Sequence, residues 1–407
     1  MQNILIEKPY QFIPPHRGRW IPSLIQKLDL YSRYLRKEEG VVDYEVRNVE
    51  RLKTSLANNN GIMLCPNHSR QADPLVMGYV AREAQTLIYT MASWHVFHQG
   101  WLSAWAARKM GAFSLYREGI DRQSLTTAID ILATAERPLV IFPEGAVSRT
   151  NDILQSLLDG VGFIARSAAK KCSKENNHRT ISVHPIAIKY YYQGNLKQSL
   201  SPVLSTIEHR LTWPDRTGES LLERIAKVGN GLLSLKELQY FDEAHVGPFE
   251  ERLLLLTEKI LKPLEEKWLT KNNTPNSPVV PRVKGIRMKI MPKLIEGEIS
   301  SDERKQIWYD LSELYLAQQL TCYPPNYLND NLSVERILET VERFEEDLTD
   351  KATVHGDLKV VLDVGEPIEI SPEEEIPKPA ELTATLALRL QTMLDHLAQE
   401  ATPWNET

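Results

Sequence analysis

From Val41 to Tyr192, short apolar runs alternate with stretches of helical spacing, and this alternation constrains the fold more than any other feature of the chain. V-V-D-Y-E-V-R-N-V (Val41–Val49) alternates like a half-buried strand, and Glu50–Asn58 is spaced as a helix. G-I-M-L-C-P (Gly61–Pro66) is an apolar strand that empties into the polar turn N-H-S-R-Q-A-D-P, and a helix follows from Leu75. Thr86–Met91 reads as the next strand, Gly111–Arg117 as another, and Leu125, Ile129 and Leu132 share one face of a helix. Pro138 ends that helix, Leu139–Phe142 is a compact strand running into P-E-G, and Ile181–Tyr192 is a long β-branched strand containing Pro185. A proline inside a strand predicts an edge or a bulge. The sum is an α/β fold with a mixed, mostly parallel sheet flanked by helices.

The turn after Gly61–Pro66 presents His68 and, five positions on, Asp73. A chain curling into a helix there brings the carboxylate back to the imidazole. An aspartate accepting the proton of one ring nitrogen leaves the other free to take a proton from a hydroxyl, which is general-base geometry. The same pair also serves simply to cap a helix. Glu144 of P-E-G is presented after a strand, beside a glycine that lets backbone approach a ligand. Cys65 and Ser69 are nucleophiles by type, and direct attack by an activated hydroxyl needs neither.

The pattern changes along the remaining chain. Residues 1–39 form an arm with seven Lys or Arg against four acids. Residues 40–194 hold the strand and helix alternation, and residues 195–356 are mainly helical, with Glu251–Trp268 the clearest amphipathic run. Strand character returns at Leu358–Ser371, and a last helix, about Glu381–Glu400, closes residues 357–407, so the helical block reads as a large insertion. It contains a Pro, Asn and Ser linker at Asn272–Pro281, then R-V-K-G-I-R-M-K-I-M-P-K (Arg282–Lys293) with five basic and no acidic residues. That run suits a solvated helix face or an anionic lipid surface. Phe97, Trp101 and Trp105 recur every four residues, predicting one helical face able to pack on the core or lie on a membrane.

A net charge of -6 and a pI near 6.0 disfavour nucleic acid as a partner. Cys65, Cys172 and Cys322 lie far apart, without metal-ligand spacing, and fit a reducing compartment. No apolar run approaches the roughly 20 residues of a spanning helix, and the N-terminus lacks an apolar signal core. The expectation is a cytoplasmic protein, peripheral to the membrane.

Four segments, in order, resemble the motif blocks of the glycerolipid acyltransferases, the family that includes 1-acyl-glycerol-3-phosphate acyltransferase. Asn67, His68 and Asp73 are similar to its N-H-x4-D block, and Gly111, Phe113, Leu115 and Arg117 to its G-x-F-x-[IL]-x-R block. Phe142, Pro143, Glu144 and Gly145 match F-P-E-G, and Val183–Ile186 resembles its proline-bearing strand. Threonine and arginine often follow F-P-E-G in the family, whereas Ala146 and Val147 stand here. The resemblance implies a glycerol-3-phosphate acyltransferase-like fold. His68 would be the general base, Asp73 its orienting partner, and Gly111, Arg117, Pro143, Glu144 and Gly145 the binding residues for the acceptor. It further implies an acyl thioester donor, acyl-coenzyme A or acyl carrier protein, a lysolipid or glycerol phosphate acceptor, a membrane surface, and neither metal nor cofactor. A non-phosphorylated alcohol as acceptor, and a silent lipid-binding or scaffolding protein, are the alternatives.

Overall fold

The computed structural model describes residues 5–214, 216–269, 278–329 and 332–405. The arm supplies α1 (Trp20–Lys27) and α2 (Leu30–Glu38), and the alternating region runs β1 (Val41–Arg47), α3 (Val49–Ala57), β2 (Gly61–Pro66), α4 (Asp73–Glu83) and β3 (Tyr89–Ser93). It continues through α5 (Trp101–Lys109), β4 (Ala112–Leu115), α6 (Arg122–Thr134), β5 (Leu139–Val140), α7 (Gly160–Lys174) and β6 (Ile181–Tyr192). Then come α8 (Leu196–Arg210), α9 (Leu221–Phe241), α10 (Phe249–Trp268), α11 (Val279–Glu296), α12 (Ser301–Leu320) and α13 (Val334–Thr349). The chain closes with β7 (Leu358–Val364), β8 (Ile368–Ile370) and α14 (Pro379–Ala398). Residues 272–277 of the expected linker lie outside the described residues, and its last four positions open α11.

The sheet has the order β1-β7-β6-β2-β5-β3-β4, with β8 also paired to β6. All pairs are parallel except β6 with β7 and β6 with β8, so the sheet is mixed and mostly parallel, as the alternation predicts. Both faces are covered, which is why β2 is buried at every position rather than alternating. Ile62 and Leu64 point into one core with α4, α8, α9 and α13, while Met63 and Cys65 point into the other with α6 and α7. Helices α10, α11 and α12 pack around a separate core that includes Leu256, Leu261, Ile286, Ile290, Leu311 and Leu314. At the β4 edge, the Ser114 N–H donates to the Ile13 carbonyl at 3.0 Å, so the arm satisfies backbone that would otherwise stand open.

Two expectations need correction. Strand β6 is central, not an edge, and it runs through Pro185 without a bulge. The sheet tolerates the proline because β8 pairs only up to Val183 and β7 only from Ile186, so the missing N–H falls in the gap between them. The Pro185 carbonyl still accepts from the Gly365 N–H at 2.8 Å. Nor do Phe97, Trp101 and Trp105 share a helix face: Phe97 is buried in a 3-10 turn, and α5 starts afresh at Trp101 after Gly100, whose φ is +132°. Trp101 is 82% exposed and Trp105 47%, so neither packs on the core.

Candidate active site

The carboxyl end of a central strand in a parallel sheet is where loops converge on a ligand, and β2 delivers Asn67 and His68 there. Asn67 extends the ladder: its Oδ1 accepts the Ile188 N–H at 2.7 Å and its Nδ2 donates to the Ile188 carbonyl at 3.0 Å. His68, next in the chain, has its Nδ1 2.9 Å from Asp73 Oδ2. Asp73 is fully buried at the first position of α4, where the positive end of the helix dipole favours a carboxylate. It also accepts the Arg70 N–H at 2.9 Å and the Tyr190 hydroxyl at 2.6 Å. A carboxylate can only accept, so the shared proton belongs to Nδ1 and Nε2 is left with its lone pair. Among the described residues Nε2 has no protein partner, and the ring lies 4.3 Å from that of Phe142.

The P-E-G turn is stitched to this strand end. Glu144 is 2% exposed, and its carboxylate accepts the His68 N–H at 2.6 Å and the Gln155 N–H at 2.9 Å. Ser148 donates its N–H to the His68 carbonyl at 2.7 Å and its hydroxyl to the same oxygen at 3.1 Å. The His68 backbone is therefore clamped on both sides by the segment after β5. The expected contact of Glu144 with an acceptor is not what the geometry provides, since both of its oxygens serve backbone. Burial pushes its pKa up to about 8 against the pull of those two N–H donors. Glu144→Gln sets an amide N–H against a backbone N–H, and a buried donor left unsatisfied costs about 1–3 kcal/mol, which a lower Tm will register. The pH dependence has a defined sign. A folded pKa raised from 4.5 to about 8 gives stability that is complete below pH 4.5 and lost as pH rises through 8. The Tm advantage of the wild type over Glu144→Gln should narrow across that window, and a widening gap would mean that the two N–H donors outweigh burial.

A cavity of about 1400 Å³ adjoins the pair, with His68, Pro143, Gly145 and Arg117 in its wall and apolar side chains of α1, α2 and α5 around it. Gly145 has φ +71° and an added Cβ would lie 2.6 Å from Leu158 Cδ1, so any other residue here would be strained and would displace Leu158. Gly111 has φ +101° and abuts the Ile88 carbonyl oxygen, which accounts for glycine there through packing, and it does not line the cavity. Arg117 follows β4 and carries no hydrogen bond or ion pair among the described residues, and burial lowers its pKa.

Sequence reading missed three supports of the site. Tyr190 reaches Asp73 from β6, 117 positions away. Asn151 repeats on the Tyr190 backbone the grip that Asn67 has on Ile188, at 2.6 and 2.9 Å. Helix α13 is almost wholly buried despite its charge, with Glu342 bonded to Arg70 at 2.8 Å, Glu346 to Arg149 at 2.8 Å and Arg336 to Asp152 at 2.7 Å. No local pattern signals these pairings. The basic run is also corrected: Arg282 is buried between Glu258 and Glu265, and Arg287 is 5% exposed, so α11 does not present these side chains to a membrane.

A mostly parallel α/β sheet here carries a His–Asp pair at a strand end beside a large and largely apolar cavity, an arrangement chemically able to accept a proton next to an apolar ligand. Residues 43–189 match the family model described as Acyltransferase, which supports an acyltransferase domain of the glycerolipid and phospholipid type in this segment. The match supports acyltransferase activity, with an acyl donor and an acceptor as substrates. It ends within β6, so α8–α13, β7, β8 and α14 lie beyond it. No curated protein matches the chain. Among the described residues no helix is long and apolar enough to cross a membrane.

Proposed function

We propose that the protein moves a fatty acyl group from an acyl thioester, acyl-coenzyme A or acyl-acyl carrier protein, to a hydroxyl of a lysophospholipid or glycerol phosphate. The observation that carries the reading is the His68–Asp73 pair, 2.9 Å apart, in the wall of a cavity of about 1400 Å³ with apolar sides. His68 Nε2 takes the proton of the acceptor hydroxyl as its oxygen attacks the thioester carbonyl. The C–S bond then breaks, and the thiolate leaves with the proton returned from the imidazolium that Asp73 stabilises. Arg117, without a hydrogen-bond or ion-pair partner among the described residues, binds the phosphate, for which a planar guanidinium suits two parallel hydrogen bonds. Glu144 acts on His68 through backbone, and Gly111 has no part in binding. Cys65 is fully buried and burial pushes its thiol pKa up, which argues against an acyl-enzyme on that residue. Trp20 and Trp105 line the cavity and remain 77% and 47% exposed, which supports entry of the lipid from a membrane surface.

A panel of phosphorylated and non-phosphorylated hydroxyl acceptors, offered with acyl-coenzyme A and acyl-acyl carrier protein to the purified chain, tests this through the ester product. Ester on a phosphorylated glycerol is expected. Ester on neutral alcohols alone would assign a different acceptor, and lipid binding without ester under either donor would make the protein a binding module.

A further inference from the structure

The helical segment contributes more to the cavity than a wall. Two cations of α11, Lys284 and Arg287, line the same cavity as Arg117, although 167 and 170 positions separate them in the chain. Arg287 is 5% exposed, and its Nε and one Nη are buried without a hydrogen-bond partner among the described residues; its other Nη makes a single bond of 3.2 Å to Gln318. Neither Arg117 nor Lys284 has a carboxylate partner among the described residues. Burying an uncompensated guanidinium is costly, and proteins normally pair it. Arg282, five positions earlier on the same helix, follows that rule with Glu258 and Glu265. Arg287 does not, which marks a site built for a charge the protein itself lacks.

The electrostatics agree. Burial, then repulsion from Arg117, lowers the pKa of Lys284, and the same two causes bring that of Arg287 down to about 10. Burial and Arg117 together hold His95, also in the cavity wall, at about 4, so it stays neutral. Glu118 is the carboxylate felt by Arg117, Lys284 and Arg287 alike, and it forms no ion pair with any of them. Three cations against one carboxylate leave a surplus of two positive charges. A phosphate monoester carries about that charge above its second pKa of about 6.

We infer that Lys284 and Arg287 of α11, together with Arg117 at the end of β4, form one subsite for a phosphate monoester, closed between the acyltransferase domain and the helical segment that follows it. The inference deepens the reading above and rests on it for the identity of the ester, a glycerol phosphate end of the acceptor. It makes the helical segment a determinant of acceptor specificity: the family domain alone holds one of the three cations.

The test uses the full chain, with glycerol phosphate and glycerol as paired probes, followed by thermal melting and calorimetric titration. Glycerol phosphate should raise the Tm of the wild type and glycerol should not. Lys284→Gln and Arg287→Gln should each weaken glycerol phosphate binding about 10-fold or more, as expected for a lost charged hydrogen bond. Lys284 is exposed to the cavity, so Lys284→Gln keeps the fold and the test stands even where Arg287→Gln unfolds. In transfer assays with an acyl-N-acetylcysteamine donor, which carries no phosphate, the acceptor KM should rise while the donor KM stays. Unchanged glycerol phosphate affinity in Lys284→Gln overturns the inference. So does a raised KM for acyl-coenzyme A alone, which would assign the anion to the donor. Wild type that acylates glycerol phosphate while both variants bind it normally leaves the function intact and the subsite wrong. Binding that depends on α11 without any acyl transfer does the reverse.

Discussion

Replacing His68 with alanine should lower kcat by about 10²- to 10⁴-fold with the fold retained, because a positioned general base contributes rate in that range. The fold is expected to survive because the elements that place His68 do not use its ring. Its N–H is held by Glu144 and its carbonyl by Ser148. Asp73, losing one partner, keeps the Arg70 N–H and the Tyr190 hydroxyl. Truncation forfeits packing on Phe142 at a partly open wall, a smaller loss than in a closed core. Acceptor-dependent thiol release, followed beside circular dichroism, separates the two effects. A variant that is folded and as fast as the wild type would remove His68 from the chemistry.

Asp73→Asn is expected to be equally damaging by a different route. The carboxylate accepts three hydrogen bonds from His68, Arg70 and Tyr190, and an amide can accept on only one oxygen. Asparagine fits if its NH2 faces Tyr190, whose hydroxyl can turn to accept, and the protein should still fold with a modest fall in Tm. The imidazolium formed during transfer then has no counter-charge, although the amide oxygen still accepts the Nδ1 proton. The loss of about 10⁴-fold in hydrolytic triads includes a reversed tautomer and is an upper bound here, so kcat should fall by about 10²- to 10⁴-fold with the acceptor KM little changed. An effect confined to KM would place Asp73 in substrate binding instead.

Much of this site was legible in the chain because its parts are local. His68 and Asp73 are separated by one turn, and F-P-E-G follows a strand whose apolar run is plain, so strand ends and side-chain types suffice to mark them. What escaped is long-range. Pro185 predicts an edge by the missing N–H, and only the arrival of β7 and β8 from beyond residue 357, leaving a gap opposite it, makes a central position possible. The charges of α13 carry no local sign of burial, because their partners Arg70, Arg149 and Asp152 lie some 180 to 270 positions upstream. The basic run of α11 carries no mark that separates Arg282, neutralised by two glutamates, from Arg287, which has no carboxylate partner among the described residues: periodicity gives the face of a helix, not what the face meets.

Direct acyl transfer to a hydroxyl activated by His68 can be followed by rapid-mixing measurement of thiol release with acceptor present or withheld, in wild type and His68→Ala. Thiol release is expected only when wild type, thioester and hydroxyl acceptor are together, matched one for one by ester. A burst of about one thiol per protein without acceptor, or undiminished release by His68→Ala, would contradict it.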